Sequence, residues 1–157
     1  MSDLEIIAEP GRQDIVVKRH FDAPRDVVFR AMTEPEHLAS WWGLASSETV
    51  IDRADARTGG SWRFVEKAGG EEYGFHGVYH EVTAPGRIVQ TFEFEGMPGH
   101  VAMETLTLEE APDGRTLYTN VSLYQSVEDR DGMVASGMET GLGQSLDALD
   151  ELLRGLV

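Results

Sequence analysis

Residues 47–124 contain no segment with the periodicity of a helix, so a β-sheet is the main structure that this part of the chain can form. Alternation of apolar and polar residues predicts six strands, at 47–54, 61–67, 72–82, 87–95, 101–110 and 115–124. Short breaks rich in glycine and proline separate them. Because connections this short join antiparallel neighbours, the stretch predicts an antiparallel meander.

The elements on either side of the meander complete an α+β pattern. Residues 13–21 predict a first strand, and a short helix is expected after Pro24. The run from Thr33 to Glu36 has the pattern of a capping box, which predicts a second short helix ending at Gly43. From about residue 127, apolar residues fall three or four positions apart and predict one long C-terminal helix. They are Val134, Met138, Leu142, Leu146, Leu149 and Leu153.

Length and termini predict one domain over residues 13–157, preceded by a loose leader at 1–12. The first residues carry neither a basic region nor a long apolar run, so no signal peptide and no membrane span are expected. We therefore expect a cytoplasmic protein that does not bind membranes.

Charge and cysteine content narrow the function further. Acidic residues outnumber basic ones 28 to 13, for a formal net charge of −15. Such a surface repels phosphate backbones, so no nucleic-acid partner is expected. The chain has no cysteine, which excludes disulfides, thiolate metal sites and a cysteine nucleophile.

Several local phrases resemble one known family. They are Phe21-Asp22-Ala23-Pro24, Thr33-Glu34-Pro35-Glu36-His37-Leu38 running into Trp41-Trp42-Gly43, Gly59-Gly60-Ser61-Trp62-Arg63, and Gly77-Val78-Tyr79-His80-Glu81-Val82. Together with the element order, they resemble the family of the activator of the heat-shock-protein-90 ATPase, within the START-like (helix-grip, SRPBCC) superfamily. The resemblance spans roughly residues 14–153. It implies a curved antiparallel sheet of about seven strands around a long C-terminal helix, two short helices after the first strand, and a cavity between sheet and helix. The superfamily includes lipid and hormone carriers, polyketide cyclases and chaperone partners.

Paired aromatic residues mark a candidate pocket. Residues two or four apart on a strand project to one face, and three such pairs occur. The pairs are Trp62 with Phe64, Phe75 with Tyr79, and Phe92 with Phe94. From the long helix we expect Val134, Met138, Gly141 and Leu142 to face them, with glycines leaving room for a ligand. Plain core packing is the alternative explanation.

Glu104 is the candidate polar residue of this pocket. Alternation places it on the same face as Leu106 and Leu108, where a buried carboxylate would have a raised pKa and could accept a ligand or a proton. The alternative is that Glu104 is solvated at a bulge or an outward-facing end. The rarity of unpaired buried carboxylates favours this alternative.

No metal, cofactor or catalytic motif is found. His76 and His80 are four residues apart on one predicted strand, which separates their backbones by about 13 Å, too far to share one ion. There is no nucleophile elbow and no phosphate-binding loop. We therefore assign no catalytic residue, no metal site and no cofactor.

The sequence favours a non-catalytic binding domain for a small apolar or amphipathic molecule, as a monomer or a homodimer. Two alternatives stay open. One is a co-factor of a chaperone ATPase that acts through its surface on a protein partner. The other is a cyclase- or hydrolase-like enzyme that uses the same pocket, with Glu104, Tyr79 or a histidine as acid or base.

Overall fold

The computed structural model describes residues 3–157 and contains an eight-stranded antiparallel sheet with the order β1-β2-β8-β7-β6-β5-β4-β3. Its strands are β1 Glu5–Ile7, β2 Asp14–Phe21, β3 Glu48–Ala54, β4 Ser61–Ala68, β5 Glu71–Thr83, β6 Arg87–Phe94, β7 Val101–Glu110 and β8 Thr116–Leu123. The first strand of the prediction and all six strands of the meander are confirmed, each to within one residue at either end. The α+β class and the helix-grip arrangement are confirmed as well.

The alternation that predicted the strands follows the two faces of the sheet. In β7, Ala102, Leu106 and Leu108 are buried, whereas Met103 between them is exposed. The face that carries the buried side chains packs against the helices, and we call it the inner face. The opposite, outer face carries the exposed residues.

The sheet has one strand more than the sequence predicted, because part of the expected leader pairs with it. β1 lies antiparallel to β2, with Ile6 opposite Val17. The side chains of Leu4 and Ile6 pack against the core. Arg130 donates hydrogen bonds to the backbone carbonyls of Glu9 and Asp14 and holds the following segment in place. Residues 5–7 are therefore an edge strand of the sheet and not a loose leader.

Two short helices connect β2 to β3, as predicted: α1 Arg25–Thr33 and α2 Pro35–Trp41. The predicted capping box is wrong. Thr33 is the last residue of α1, and its hydroxyl donates to the carbonyl of Phe29 at 2.8 Å instead of capping α2. Pro35 starts α2, since its fixed φ suits the first helical position. Gly43 has the predicted left-handed conformation, with φ of 98°.

The C-terminal helix consists of two helices, α3 Val127–Ala135 and α4 Met138–Leu156. Gly137 separates them with φ of 85°, a conformation that ends a helix. The predicted apolar stripe is therefore continuous only from Met138 onward. Val134 lies on α3 and is 44% exposed, so its predicted place in the stripe is wrong.

The core lies between the inner face of the sheet and the helices. Leu146, Leu149 and Leu153 of α4 are almost fully buried there, against residues such as Ile15 and Leu108. α4 also contacts α1 and α2, which close one side of the core. No helix within residues 3–157 is both long and apolar enough to cross a lipid bilayer.

Candidate ligand-binding site

A cavity of about 300 Å³ opens between the inner face of the sheet, the segment after α2 and the first turns of α4. Strands β4, β5 and β6 form its floor, the residues between Trp42 and Ser47 form one wall, and α4 contributes Gly141. The lining residues are Trp42, Gly43, Leu44, Ser47, Glu66, Ala68, Tyr73, Phe75, Phe94 and Gly141.

Trp42 lies at the centre of the aromatic cluster behind this cavity. Its ring meets Phe64 edge-on at 5.0 Å between ring centroids and Phe75 at 5.3 Å. Phe75 also packs against Phe94 at 5.1 Å, and Phe94 against Tyr73 at 6.4 Å. Edge-to-face and tilted contacts of this kind stabilise aromatic clusters beyond the area they bury. The cavity thus has a firmly packed apolar floor.

Three of the predicted pocket residues, Phe75, Phe94 and Gly141, line this cavity. The remaining aromatic residues of the prediction lie deeper. Trp62, Phe64 and Tyr79 are at most 4% exposed and belong to the core, as the alternative explanation had it.

The predicted helix residues divide in the same way. Met138 and Leu142 of α4 are partly buried against the core, but they are not part of the cavity lining. The same holds for Phe92 of strand β6. Val134 does not join the site because the break at Gly137 puts it on a separate, exposed helix.

The segment from Trp42 to Ser47 was missed as part of the site, because a loop has no periodicity that would assign its side chains to a face. The adjacent tryptophans Trp41 and Trp42 could have indicated this wall of the site. Neighbouring residues of a helix point in different directions, so the two rings cannot both pack on the same side. Trp41 is buried, and its indole N–H donates to the carbonyl of Ala31 in α1 at 2.8 Å. Trp42 follows the end of α2 in an extended conformation, which directs its ring to the sheet.

Glu66 fixes this wall of the cavity. The residue is only 6% exposed. Its carboxylate accepts hydrogen bonds from the backbone N–H of Leu44 at 3.1 Å, from the Ser47 hydroxyl at 2.9 Å, and from the Thr49 hydroxyl. A Cβ at Gly43 would overlap the same carboxylate, so the close approach requires glycine at that position. Because these hydrogen bonds occupy the oxygen atoms of Glu66, the lining of the cavity is largely apolar.

Glu104 lies on the inner face, and the expectation that it is solvated is wrong. Strand β7 pairs with β6 and β8 without a bulge, so the alternation that starts at Ala102 continues through Glu104. Gln90 donates to its carboxyl group at 3.0 Å and Ser122 at 3.4 Å. Burial raises the pKa of Glu104 above its ordinary value of 4.5. Glu104 does not line the cavity.

His76, which we did not expect to bind a metal ion, belongs to an ion-pair network on the outer face. His76 contacts Glu93 and Glu95, and Glu95 accepts two hydrogen bonds from Arg63, at 2.7 and 2.8 Å. The hydrogen bonds from Arg63 and His76 lower the pKa of Glu95 to about 2. A second cavity of about 390 Å³ that includes Arg63 and Glu95 adjoins the first, with Tyr73 and Phe94 lining both.

Within residues 3–157, the candidate group for a metal ion is Glu34, Glu36 and His37, at the junction of α1 and α2. It lies on the protein surface, away from the cavity lining, and exposed acidic groups of this kind are common without an ion.

Comparison with known proteins agrees with the fold. The model of the family described as Activator of Hsp90 ATPase homolog 1-like protein matches residues 22–154. A search of curated proteins gives no match. Among solved structures, a protein from Rhodobacter sphaeroides is 23% identical, with a TM-score of 0.89 over 98% of this chain and 99% of that one. A protein from Chromobacterium violaceum is 28% identical, with a TM-score of 0.79 over 90% and 96% of the two chains. One from Nitrosomonas europaea is 26% identical, with a TM-score of 0.81 over 94% and 97%.

Proposed function

The chain belongs to the family of Activator of Hsp90 ATPase homolog 1-like proteins, and we propose that it is a non-catalytic binding domain for a small apolar or amphipathic molecule. The observation that carries this proposal is the aromatic-lined cavity of about 300 Å³ beside α4. Its volume falls at the lower end of the range of small-molecule sites, roughly 300–1,000 Å³.

The chemistry of the lining defines the class of ligand. Most of the wall consists of apolar and aromatic side chains, and the Glu66 carboxylate is turned toward loop donors. Burial of apolar surface stabilises such a complex by about 25 cal/mol per Å², whereas the wall offers few hydrogen bonds to a ligand. We therefore expect affinity to follow the apolar area of the ligand.

Enzymatic turnover in this cavity has less support. Tyr79, a candidate acid or base, is buried in the core, and burial raises its pKa to about 12, so it resists ionisation at neutral pH. Neither Glu104 nor any histidine is among the residues that line the cavity. Cyclase- or hydrolase-like chemistry would need an acid or base within hydrogen-bond reach of the bound molecule.

The test is a fluorescence titration with an environment-sensitive apolar dye. We expect saturable binding with micromolar affinity or better, weakened at least tenfold by Phe94→Ala, because Phe94 lines the cavity. The matched control is Met103→Ala, which removes an exposed apolar side chain from the outer face and should leave the affinity unchanged. The proposal fails if the folded protein shows no saturable binding, or if both variants bind like the parent.

Native mass spectrometry of the purified protein provides an independent readout. A stoichiometric small molecule that is released on denaturation would support the binding domain. A reproducible protein partner without a small molecule would instead favour the co-factor of a chaperone ATPase.

A further inference from the structure

The sheet has an opening between β5 and β6 beside the aromatic-lined cavity. Strand β5 starts at Glu71, but its pairing with β6 starts only at Phe75, which lies opposite Phe94. The residues of β5 before Phe75 pair with β4 on their other side. We call the opening between the start of β5 and the end of β6 the notch.

The second cavity, of about 390 Å³, lies at the notch and adjoins the first one. Tyr73 and Phe94 line both cavities, and the centroids of their rings are 6.4 Å apart. A molecule that fills both cavities would therefore lie across these two rings. The lining residues of the second cavity are Arg63, Val65, Glu72, Tyr73, Gly74, Phe94, Glu95 and Gly96.

Two glycines allow the walls of the second cavity to lie close to the backbone. A Cβ at Gly74 would overlap the carboxylate of Glu95, which lies directly over the strand there. A Cβ at Gly96 would come within 2.5 Å of the ring of Phe94. Both positions therefore require glycine, because no side chain fits between the backbone and these groups.

The second cavity offers hydrogen-bond donors and acceptors side by side. The Arg63 guanidinium donates to Glu95 through Nε and one terminal nitrogen, and its other terminal nitrogen lies 3.5 Å from Asp52. Each terminal nitrogen carries two N–H groups, so each has one that these contacts do not use. Glu72 has no ion-pair partner within residues 3–157, and its carboxylate accepts hydrogen bonds.

The charges of the second cavity disfavour a charged head group. An anion would face the carboxylates of Glu72 and Glu95, whereas a cation would face the guanidinium of Arg63. Glu95 also receives hydrogen bonds from Arg63 and His76, so its charge is already compensated. A hydroxyl group both donates and accepts, and it can therefore bind both kinds of group without a net charge.

From these observations we infer that the second cavity is the subsite for a neutral head group with several hydroxyls. The ligand is then an amphipathic molecule of the alkyl glycoside or monoacylglycerol class. This inference rests on the proposed function, since the apolar chain of the ligand occupies the first cavity. The hydroxyls accept hydrogen bonds from the unused N–H groups of Arg63 and donate to Glu72. Tyr73 and Phe94 contact the junction between chain and head group.

The experiment uses isothermal titration calorimetry at neutral pH with four molecules that share an eight-carbon chain, each below its critical micelle concentration. They are octyl glucoside, 1-octanol, octanoate and octylammonium. We expect the parent protein to bind the glucoside at least tenfold more tightly than each of the other three. Glucose alone should show no binding, because burial of the apolar chain supplies most of the affinity.

Arg63→Met should lower the preference for the glucoside over octanol at least fivefold and leave the affinity for octanol unchanged, because it removes the donors. The matched control is Arg87→Met, which breaks a similar pair with Glu81 at the other end of β6. Neither of these two residues lines a cavity, so the control should keep the preference. Melting curves show that each variant is folded.

Equal affinity for the glucoside and octanol in the parent protein would overturn this inference and leave the apolar binding site standing. Tightest binding of octanoate or octylammonium, or an equal loss in Arg63→Met and Arg87→Met, would also overturn it. Glucose that binds as tightly as the glucoside would do the same, because the chain would then have no part in the complex. If none of the eight-carbon molecules binds, both this inference and the proposed function are wrong.

Discussion

Replacement of Gly141 by leucine separates a ligand cavity from a closely packed helix. A glycine inside a helix costs about 1 kcal/mol relative to a residue with a side chain. Outside its own stretch of helix, the only atom of residues 3–157 within 4 Å of a Cβ added at Gly141 is the Cδ2 of Leu44, at 3.0 Å. Leu44 is 47% exposed at the tip of a loop and can move by the few tenths of an ångström required. In a closely packed site, the added bulk would instead cost about 1–3 kcal/mol.

For Gly141→Leu we therefore expect a stability equal to or up to about 1 kcal/mol above that of the parent, which is a rise in Tm of at most about 2–4 °C for a chain of this size. The isobutyl group enters the cavity of about 300 Å³, so affinity for an apolar dye should fall at least tenfold, or about 1.4 kcal/mol. Differential scanning fluorimetry and dye titration measure the two effects.

The matched control is Gly143→Leu, in the same helix but outside the cavity lining, where an added Cβ meets Leu4 at an ordinary 3.8 Å. It should gain the same helix propensity and bind the dye like the parent. A clear loss of stability in Gly141→Leu with unchanged dye binding would refute the reasoning, because these glycines would then serve close packing.

Three further predictions concern single side chains. Trp41→Ala should lower the free energy of unfolding by about 3–5 kcal/mol in urea titrations, whereas Trp42→Ala should cost less and mainly weaken dye binding; equal effects of the two would contradict their placement. Because burial raises the pKa of Glu104 in the folded state above 4.5, near the buried Tyr118 and the partly buried Tyr124, the parent loses stability as pH rises from about 4.5 through that raised value. Glu104→Gln should remove this loss, so its advantage over the parent should grow as pH rises above about 4.5. The pKa of Glu95 shifts in the opposite direction, down to about 2, so its pair with Arg63 stabilises the fold above about pH 4.5 and loses its effect as pH falls toward 2. Arg63→Met should therefore lower the free energy of unfolding at pH 7, by at most ~1 kcal/mol for a pair this exposed, and have little effect at pH 2.

The sheet could be predicted because its signals are local. A strand shows its faces by alternation, and each break in the meander carries its own glycine or proline. β1 could not be predicted in the same way, because three residues are too few for a pattern and Glu5–Ile7 become a strand only through pairing with β2. The break at Gly137 was also hidden, because Val134 and Met138 keep helical spacing across it and only the backbone conformation interrupts the helix.

The candidate site was only partly predictable for a related reason. Alternation assigned Phe75 and Phe94 to the inner face correctly, but it could not tell which inner-face residues the helices cover. Trp62 is covered and Phe75 is not, a difference that depends on the path of the loop after α2. For Glu104, alternation predicted the inner face of the sheet correctly. The general rarity of buried carboxylates led to the wrong expectation that it is solvated.

The position of β2 in the sheet has a consequence for synthesis on the ribosome. β2 is near the start of the chain, but its sheet neighbour towards the centre is β8, with Asp14 opposite Leu123 and Phe21 opposite Thr116. The strands from β3 to β7 can pair with their neighbours as they emerge from the ribosome. β2 cannot pair with β8 until residues 116–123 have been synthesised. Pairings this distant in sequence make folding slow, and the exposed strand edge invites aggregation in the meantime. A nascent chain stalled before residue 116 should therefore be sensitive to protease within residues 14–21, and the complete chain, with β8 and α4 in place, should be protected there.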